Sequence, residues 1–409
     1  MPAARQRTAL TMACLAAVAA AAAEPALLQV RVLAGDHDRL DTPVSAVLPA
    51  IADDVTTVVL TEDGSGHSFP GQIEHRDGQA WLAFILAGPA RAGQERLFSV
   101  TAGTAAPRVT VRASDAVVEV LQGDRPMLCY RRTAVAPPAG QSPLLARNAY
   151  LHPVWTPAGH VVTGDFVADH PHQRGVFLAW TKTLYEGRHP DFWNLAQGLG
   201  RVRGLECSDV VSGPVWGGFR ATHVSEDLKA PGGPAVVLNE TWELKAWAVG
   251  GPEAGWWFWD LRIRQRVAGT SPLALPKYIY GGMAFRGSER WSNQPWEFLS
   301  SAGRTRADAD GTCGSWGDLT GPLGDAWAGL TMLGHPANLR FPQPFRCHPT
   351  VPYFCMAPSQ QGPWSIEPGK PLELCYRFVV HDGKADAALA ERLFRDFAQP
   401  PQVVVESPR

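Results

Sequence analysis

The sequence lacks an excess of charge of either sign. Its 37 Lys and Arg residues nearly balance its 39 Asp and Glu residues, and the formal net charge is -2 at pH 7. A protein that gathers nucleic acid or anionic lipid through its overall field needs a clear positive excess. We therefore expect no nucleic-acid partner.

Several catalytic motifs are also missing. The sequence has no G-x-S-x-G elbow, no P-loop, no G-x-G-x-x-G opening a helix, no H-E-x-x-H and no C-x-x-C pair. These absences exclude the most recognisable serine hydrolases, nucleotide-binding proteins, zinc peptidases and thiol redox proteins. We expect no cofactor.

Long apolar runs are confined to the N-terminus. Arg5 and Arg7 precede an apolar run at 9–23 that is followed by an acidic residue and a proline. This order is typical of a secretory signal peptide, and the run is shorter than the roughly 20 residues that span a bilayer. We predict cleavage near Ala23 and a periplasmic or secreted protein without a membrane span. The residues before Cys14 fit a lipoprotein signal poorly, so a lipid anchor is not expected.

Glycine and proline are abundant, with 40 and 35 residues respectively, and they break long helices. We therefore predict an all-β chain: a small N-terminal β-sandwich, then a larger antiparallel β-sandwich with one C-terminal helix. The predicted domains are a signal peptide at 1–23, the N-terminal sandwich at 24–107, the large sandwich with its helix at 108–401, and a tail at 402–409.

Two segments have a clear period. Apolar and polar residues alternate over Val236–Trp247 and Trp256–Val267, which predicts an antiparallel hairpin with one buried face. Gln265 is an exception on the apolar face. Leu389, Leu393 and Phe397 recur every four residues within Ala385–Ala398 and predict a helix, which we expect Asp382 to cap.

The densest polar cluster is the segment 169–175, of sequence DHPHQRG. In an extended strand His170, His172 and Arg174 point the same way, and we expect Pro171 to help hold the segment extended. Two imidazoles and a guanidinium on one face give a proton-transfer pair and an anion clamp. The alternative is that both histidines are structural and bond to backbone carbonyls.

A metal site is a second alternative for the two histidines. The pattern His170-x-His172 can supply two zinc ligands, but a site needs at least a third. Four residues could complete it from a distance: His152, Asp169, His335 and His348. We expect no metal as the leading interpretation.

Glu240 lies on the same predicted face as Trp242 and Leu244. A carboxylate on an apolar face is costly unless it is paired or protonated, so Glu240 is either a structural ion-pair partner or a catalytic acid with a raised pKa. A one-residue slip of the hairpin register would turn it outward.

Tryptophan is abundant, with 15 residues, and aromatic faces stack on the C–H faces of sugars. Most of these rings belong to the core, since five of them lie in the predicted hairpin. Trp193, in a loop flanked by proline and glycine, is the best candidate for a binding role. We therefore expect a small-molecule or oligosaccharide ligand.

Further motifs carry a family resemblance: YLHPVWTPAGHVVT from Tyr150, DHPHQRG from Asp169, DFW from Asp191, YGGMAFRG from Tyr280 and EPGKPLELCYRFVVHDG from Glu367. The chain resembles an uncharacterised family of bacterial secreted proteins that carries the label methane oxygenase PmoA. That family usually has a further histidine where this chain has Gln173. True methane monooxygenase subunits span a membrane several times, so the label is not taken to describe the activity. The general appearance is similar to sugar-handling sandwiches of the galactose-mutarotase type, which implies a His and Glu site on a concave sheet.

The leading hypothesis is therefore a carbohydrate-active enzyme, such as an isomerase, lyase or hydrolase, that works by acid–base catalysis. The expected catalytic residues are His170, His172 and Glu240. The expected substrate-binding residues are His152, Asp169, Arg174, Trp193, Arg286 and His335. The alternatives are a non-catalytic glycan-binding protein and a metal-dependent oxygenase.

Overall fold

A computed structural model describes residues 26–49, 51–76 and 78–406. The predicted signal peptide therefore lies outside the described residues. Within them the chain forms 25 strands, one α-helix and short 3-10 helices. Every pair of neighbouring strands is antiparallel. Strands in which apolar and polar residues alternate favour this pairing, because one face of the sheet is buried and the other contacts water. The predicted fold class is confirmed.

Sheet 1 is the N-terminal sheet and has seven strands, in the order β2-β5-β4-β3-β6-β1-β25. The sheet curls so that its edge strands β2 and β25 come close together, and it encloses an apolar core of its own. Its strands are β1 Leu28–Leu33, β2 Arg39–Val47, β3 Thr57–Glu62, β4 Ser68–Arg76, β5 Gln79–Ala90, β6 Glu95–Ala102 and β25 Gln402–Glu406.

The C-terminal segment corrects one expectation. Residues 402–409 were predicted to be a tail, but Gln402–Glu406 pairs antiparallel with Leu28–Leu33 at the edge of sheet 1. Val403 and Val405 pack against the core of that sheet. An unpaired strand edge exposes a row of backbone donors and acceptors, and β25 satisfies those of β1.

Sheet 2 has eight strands in the order β21-β22-β17-β11-β10-β9-β8-β7. They are β7 Val109–Ala113, β8 Val117–Gln122, β9 Arg125–Arg131, β10 Leu151–Val154, β11 Val176–Ala179, β17 Gly282–Arg286, β21 Phe345–Cys347 and β22 Tyr353–Met356.

Sheet 3 also has eight strands, in the order β12-β13-β14-β15-β24-β20-β19-β18. They are β12 Gly200–Val211, β13 Trp216–Asp227, β14 Ala235–Trp247, β15 Trp256–Val267, β18 Glu297–Ser300, β19 Trp316–Leu323, β20 Ala326–Gly334 and β24 Leu372–Asp382. A further two-stranded sheet joins β16 Leu273–Leu275 to β23 Trp364–Ile366. The 3-10 helices are Pro143–Leu145, Leu195–Gln197, Glu289–Trp291 and Pro358–Gln361.

The predicted hairpin is confirmed as β14 and β15. Leu244 pairs with Leu261, and Glu240 pairs with Gln265. The two polar residues that interrupt the apolar face are therefore direct cross-strand partners, which is the arrangement in which each can satisfy the other.

Sheets 2 and 3 pack face to face over the largest core, which includes Trp180, Trp242 and Trp259. The other face of sheet 3 is covered by the α-helix and by residues of sheet 1 such as Ala83. On the other face of sheet 2, Phe177 and Tyr353 pack with residues outside the strands such as Trp193 and Val351. This outer face of sheet 2 is where the polar cluster of the sequence lies.

The single α-helix of the described residues, α1, spans Ala387–Ala398. Leu393 and Phe397 are buried against sheet 3, as the sequence period predicts. The expected cap is wrong, because Asp382 is the last residue of β24. Asp386 is the N-cap instead, and its carboxylate accepts from the backbone N–H of Ala388 at 2.9 Å and of Leu389 at 3.0 Å.

In the part of the chain that the structure describes, no helix is long and apolar enough to cross a membrane. The six cysteines of that part are all free thiols.

Candidate functional site

The outer face of sheet 2 is built by strand alternation. On β11, Val176 and Leu178 point into the core between the sheets, whereas Phe177 and Ala179 point outward. On β17 the last residue, Arg286, also points outward, because Phe285 before it belongs to the core. The loops above this face carry the candidate site residues.

The segment 169–175 is not extended, which corrects the sequence prediction. The backbone N–H of His170 donates to Val167 O at 3.0 Å, and that of Gln173 donates to His170 O at 3.0 Å. Residues 170–173 therefore form a turn with Pro171 at its second position, where the fixed φ of proline fits. A turn does not keep alternate side chains on one face, so Arg174 departs from the two histidines.

His170 and His172 do lie together. Their ring centroids are 5.7 Å apart at an interplanar angle of 64°. Both side chains are half-buried. Burial and, second to it, the charge of His170 lower the pKa of His172 to about 4. His172 is therefore a neutral proton acceptor at neutral pH.

His348 joins this pair, with its ring centroid 5.2 Å from that of His170. Burial, followed by the charge of Arg346, lowers the pKa of His348 to about 4. The sequence indicated His348 only as a distant metal ligand. It lies in the connection between β21 and β22, which sheet pairing brings to the histidine turn.

Asp169 and Arg286 anchor the turn to the sheet. Arg286 is fully buried; its guanidinium lies 2.8 Å from the Asp169 carboxylate and donates to Gln173 Oε1 at 3.1 Å. Burial raises the pKa of Asp169, but the hydrogen bond from Arg286 and its charge outweigh that effect and lower it. Asp169 is thus ionised and lies 3.3 Å from Nδ1 of His170.

Arg174 is 1% exposed and is not an anion clamp. Its guanidinium lies 2.6 Å from the Asp165 carboxylate, donates to the Tyr150 hydroxyl at 3.1 Å and stacks 3.2 Å from the Phe166 ring centre. Since the carboxylate already neutralises it, Arg174 holds the loop rather than a ligand. His152 lies beside this group; its Nδ1 is 2.9 Å from the Thr163 hydroxyl, and burial lowers its pKa to about 4.

Trp193 is 2% exposed, so its ring is not free to stack on a ligand. It packs beneath the site against Phe177 at 5.0 Å, Tyr280 at 5.8 Å and Tyr353 at 6.1 Å between ring centroids. Asp191 fixes the loop by accepting from the backbone N–H of Trp193 at 2.8 Å. Tyr280, which is half-buried, is the ring of this group that reaches the surface.

Glu240 is not brought to the histidines. It points into the core between the sheets, where its carboxylate accepts from His223 Nδ1 at 2.7 Å and from the Gln265 amide. The network continues from His223 Nε2 to the Tyr130 hydroxyl at 2.7 Å, and Trp180 donates to Gln265 Oε1 at 2.7 Å. Sheet 2 lies between this buried network and the histidines on the outer face of that sheet. Of the two roles that the sequence left open for Glu240, the geometry is that of a structural hydrogen-bond partner in the core.

His335 is also distant from the site. It lies in the turn after β20 of sheet 3, and its ring packs on Phe397 of α1 at 5.1 Å between centroids. Its Nδ1 accepts from the backbone N–H of Ala337 at 3.1 Å. This geometry is that of a structural turn residue.

Within residues 26–406, positions 50 and 77 aside, no group of three His, Cys, Asp or Glu side chains converges closely enough to hold a metal ion. The site that the structure assembles consists of Asp169, His170, His172, His348 and Arg286, and Tyr280 packs on Trp193 and Tyr353 on the same outer face of sheet 2. Two of these were missed as site residues. The motif beginning at Tyr280 was visible in the sequence, whereas nothing local marks His348.

A model for a family of unknown function, DUF6807, matches residues 117–395. No curated protein matches the chain. Among solved structures, a protein of glycosyl hydrolase family 38 from Enterococcus faecalis overlays with a TM-score of 0.40 at 6% identity, covering 94% of this chain and 48% of that one. An alpha-mannosidase from Enterococcus faecalis gives 0.39 at 7% identity, covering 93% and 46%. A TPR-domain containing protein from Parabacteroides distasonis gives 0.21 at 11% identity, covering 86% and 57%. The chain therefore spans about half the length of the solved chains that it overlays.

Proposed function

The chain belongs to the DUF6807 family, and because that family has no known function we propose one from the geometry of the site. We propose that the protein binds a sugar or glycoside on the outer face of sheet 2 and acts on it by acid–base chemistry through His170 and His172. Glu240 has no part in this chemistry, since its carboxylate lies in the core between the sheets.

The observation that carries the proposal is the pair of half-buried imidazoles with different surroundings. His170 has an ionised carboxylate 3.3 Å from Nδ1, whereas neither ring nitrogen of His172 has a hydrogen-bond partner among the described residues. A carboxylate beside Nδ1 orients an imidazole and fixes its tautomer, as general acid–base catalysis requires. His172, with its lowered pKa, is the complementary acceptor.

Aromatic rings support a sugar as the ligand. Tyr280 reaches the surface on the outer face of sheet 2 and lies 6.1 Å from Tyr278, a second half-buried ring. Arg346 bonds the Tyr280 hydroxyl at 3.1 Å and so fixes the orientation of that ring. A fixed aromatic face beside polar groups suits the alternating C–H and hydroxyl surfaces of a sugar. The N-terminal pattern at 1–23 supports export to the periplasm or the medium.

A thermal-shift screen against mono- and oligosaccharides and divalent metals tests the proposal. A ligand at 100 times its Kd adds about 2.7 kcal/mol of stability, which is readily measured. We expect a sugar-dependent shift that His172→Ala abolishes while the melting temperature without sugar changes little. His335→Ala is the matched control, since His335 lies on sheet 3, and it should retain the sugar shift.

Product analysis then separates the competing functions. Turnover lost in His172→Ala supports an enzyme, whereas binding without any product supports a non-catalytic glycan-binding protein. A shift with a divalent metal alone, together with stoichiometric copper or iron in the purified protein, would support a metal-dependent oxygenase and overturn the sugar proposal.

A further inference from the structure

The backbone around His348 fixes which of its ring nitrogens carries the proton. Nδ1 faces the backbone N–H of Thr350 at 3.3 Å and that of Val351 at 3.2 Å. A backbone N–H can only donate, so Nδ1 accepts and carries no proton. The neutral ring therefore has its proton on Nε2, which is left as a hydrogen-bond donor.

His170 has the opposite arrangement. Its Nδ1 faces the Asp169 carboxylate at 3.3 Å, and Arg286, 2.8 Å from that carboxylate, keeps it ionised. An ionised carboxylate can only accept, so Nδ1 of His170 carries a proton. When the ring is neutral, Nε2 is consequently its free acceptor.

The two rings are neighbours, 5.2 Å apart between centroids at an angle of 71°. We infer that His348 is a ligand-binding residue whose Nε2–H donates to one ligand oxygen while His170 Nε2 accepts from a hydroxyl of the same ligand, and that the pair selects a neutral polyhydroxy compound. The inference rests on the proposed function, because it names the ligand class of that same site.

The pairing of nearby arginines with carboxylates supports a neutral ligand. Two guanidiniums near the three histidines already face a carboxylate: Arg286 faces Asp169 at 2.8 Å, and Arg346 faces Asp310 at 2.7 Å. Arg174, below the turn, is paired in the same way at 2.6 Å from Asp165. A third guanidinium near the histidines, that of Arg306, lies over the Trp296 ring and donates to the backbone O of Pro349 at 2.8 Å. A ligand carboxylate, phosphate or sulfate that binds Arg286, Arg346 or Arg174 would have to displace the carboxylate already paired with it. A neutral sugar meets the donor and the acceptor without that cost.

The proton positions can be measured without a ligand. Long-range proton–nitrogen correlation spectra of the nitrogen-15-labelled protein at neutral pH distinguish protonated from unprotonated ring nitrogens. The signals are assigned with the His348→Gln and His170→Gln variants. We expect protonated Nε2 in His348 and protonated Nδ1 in His170. Protonated Nδ1 in His348 would overturn the inference and leave the proposed function standing.

Binding is measured with the methyl glycosides of glucose, galactose and mannose, and with glucuronate and galacturonate. Losing one neutral hydrogen bond weakens Kd about 3- to 10-fold, which is the effect expected of His348→Leu on the glycosides. His348→Gln keeps an amide N–H near the Nε2 position and should restore most of that affinity. His67→Leu, at an exposed position between β3 and β4 of sheet 1, should bind as the wild type does.

The outcomes separate the two proposals. Glycoside binding that His172→Ala abolishes but His348→Leu leaves unchanged refutes the inference alone. A uronate that binds more tightly than its neutral parent refutes the neutral ligand class. If none of the five probes binds the wild-type protein, the proposed function fails and the inference fails with it.

Discussion

Replacing Glu240 by alanine should destabilise the protein without touching the site on the outer face of sheet 2. The substitution removes the acceptor of two buried donors, His223 Nδ1 and the Gln265 amide, whose residues are 1% and 2% exposed. Each orphaned buried donor costs about 1–3 kcal/mol. With two donors orphaned, we therefore expect the free energy of unfolding to fall by about 2–6 kcal/mol.

Urea denaturation followed by tryptophan fluorescence measures this change, because Trp180 and Trp242 lie in the core that Glu240 faces. Glu373→Ala is the matched control. Its carboxylate is 57% exposed and pairs with Arg264 at 3.1 Å on the surface of sheet 3, so the loss should stay within about 1 kcal/mol. A Glu240→Ala protein that unfolds like the wild type but has lost its sugar-dependent shift would refute the structural assignment of Glu240.

Three further predictions concern the helix, the C-terminal strand and pH. Asp386→Ala should cost about 1 kcal/mol in urea denaturation, since it removes the N-cap of α1, and an unchanged midpoint would contradict the cap. A chain ending before residue 402 should unfold more easily and aggregate, as it leaves one edge of β1 unpaired, whereas a chain ending at Glu406 should behave like the full chain. Equal light scattering of the two would count against the β25 pairing. Burial lowers the folded pKa of His172 to about 4, below the ordinary 6.5. The neutral ring therefore contributes stability above about pH 6.5 that is lost between pH 6.5 and 4, and the sugar-dependent shift should persist at pH 5 and disappear near pH 4. A midpoint near 6.5 for that shift would show that His172 is not the titrating acceptor.

The spacing of apolar residues along the chain predicted the β14–β15 hairpin and the C-terminal helix. The alternation of β14 and β15 gave the buried face and placed Glu240 and Gln265 on it, and the structure shows that these two residues pair across the strands. The helix followed from its apolar spacing. Its cap was misplaced by four residues because two aspartates, Asp382 and Asp386, precede it, and a pattern of residue types does not show which one ends a strand.

The grouping of side chains at the candidate site was predicted only where the residues are close in sequence. The proximity of the two histidines was predicted because they are close in sequence, but Arg174 was wrongly placed beside them because Pro171 fits a turn as well as an extended strand. His348 lies far along the chain and reaches His170 only through the pairing of sheet 2. No pattern in the sequence reports a contact made by sheet order. The same holds for β25, whose partner is at the other end of the chain.

A crystal structure of the protein with the sugar that gives the largest thermal shift tests the central claim most directly. The account predicts the sugar on the outer face of sheet 2, with one oxygen within hydrogen-bond distance of His348 Nε2 and another near His170 or His172, beside the ring of Tyr280. A sugar bound elsewhere, with the three histidines free of contact, would contradict it.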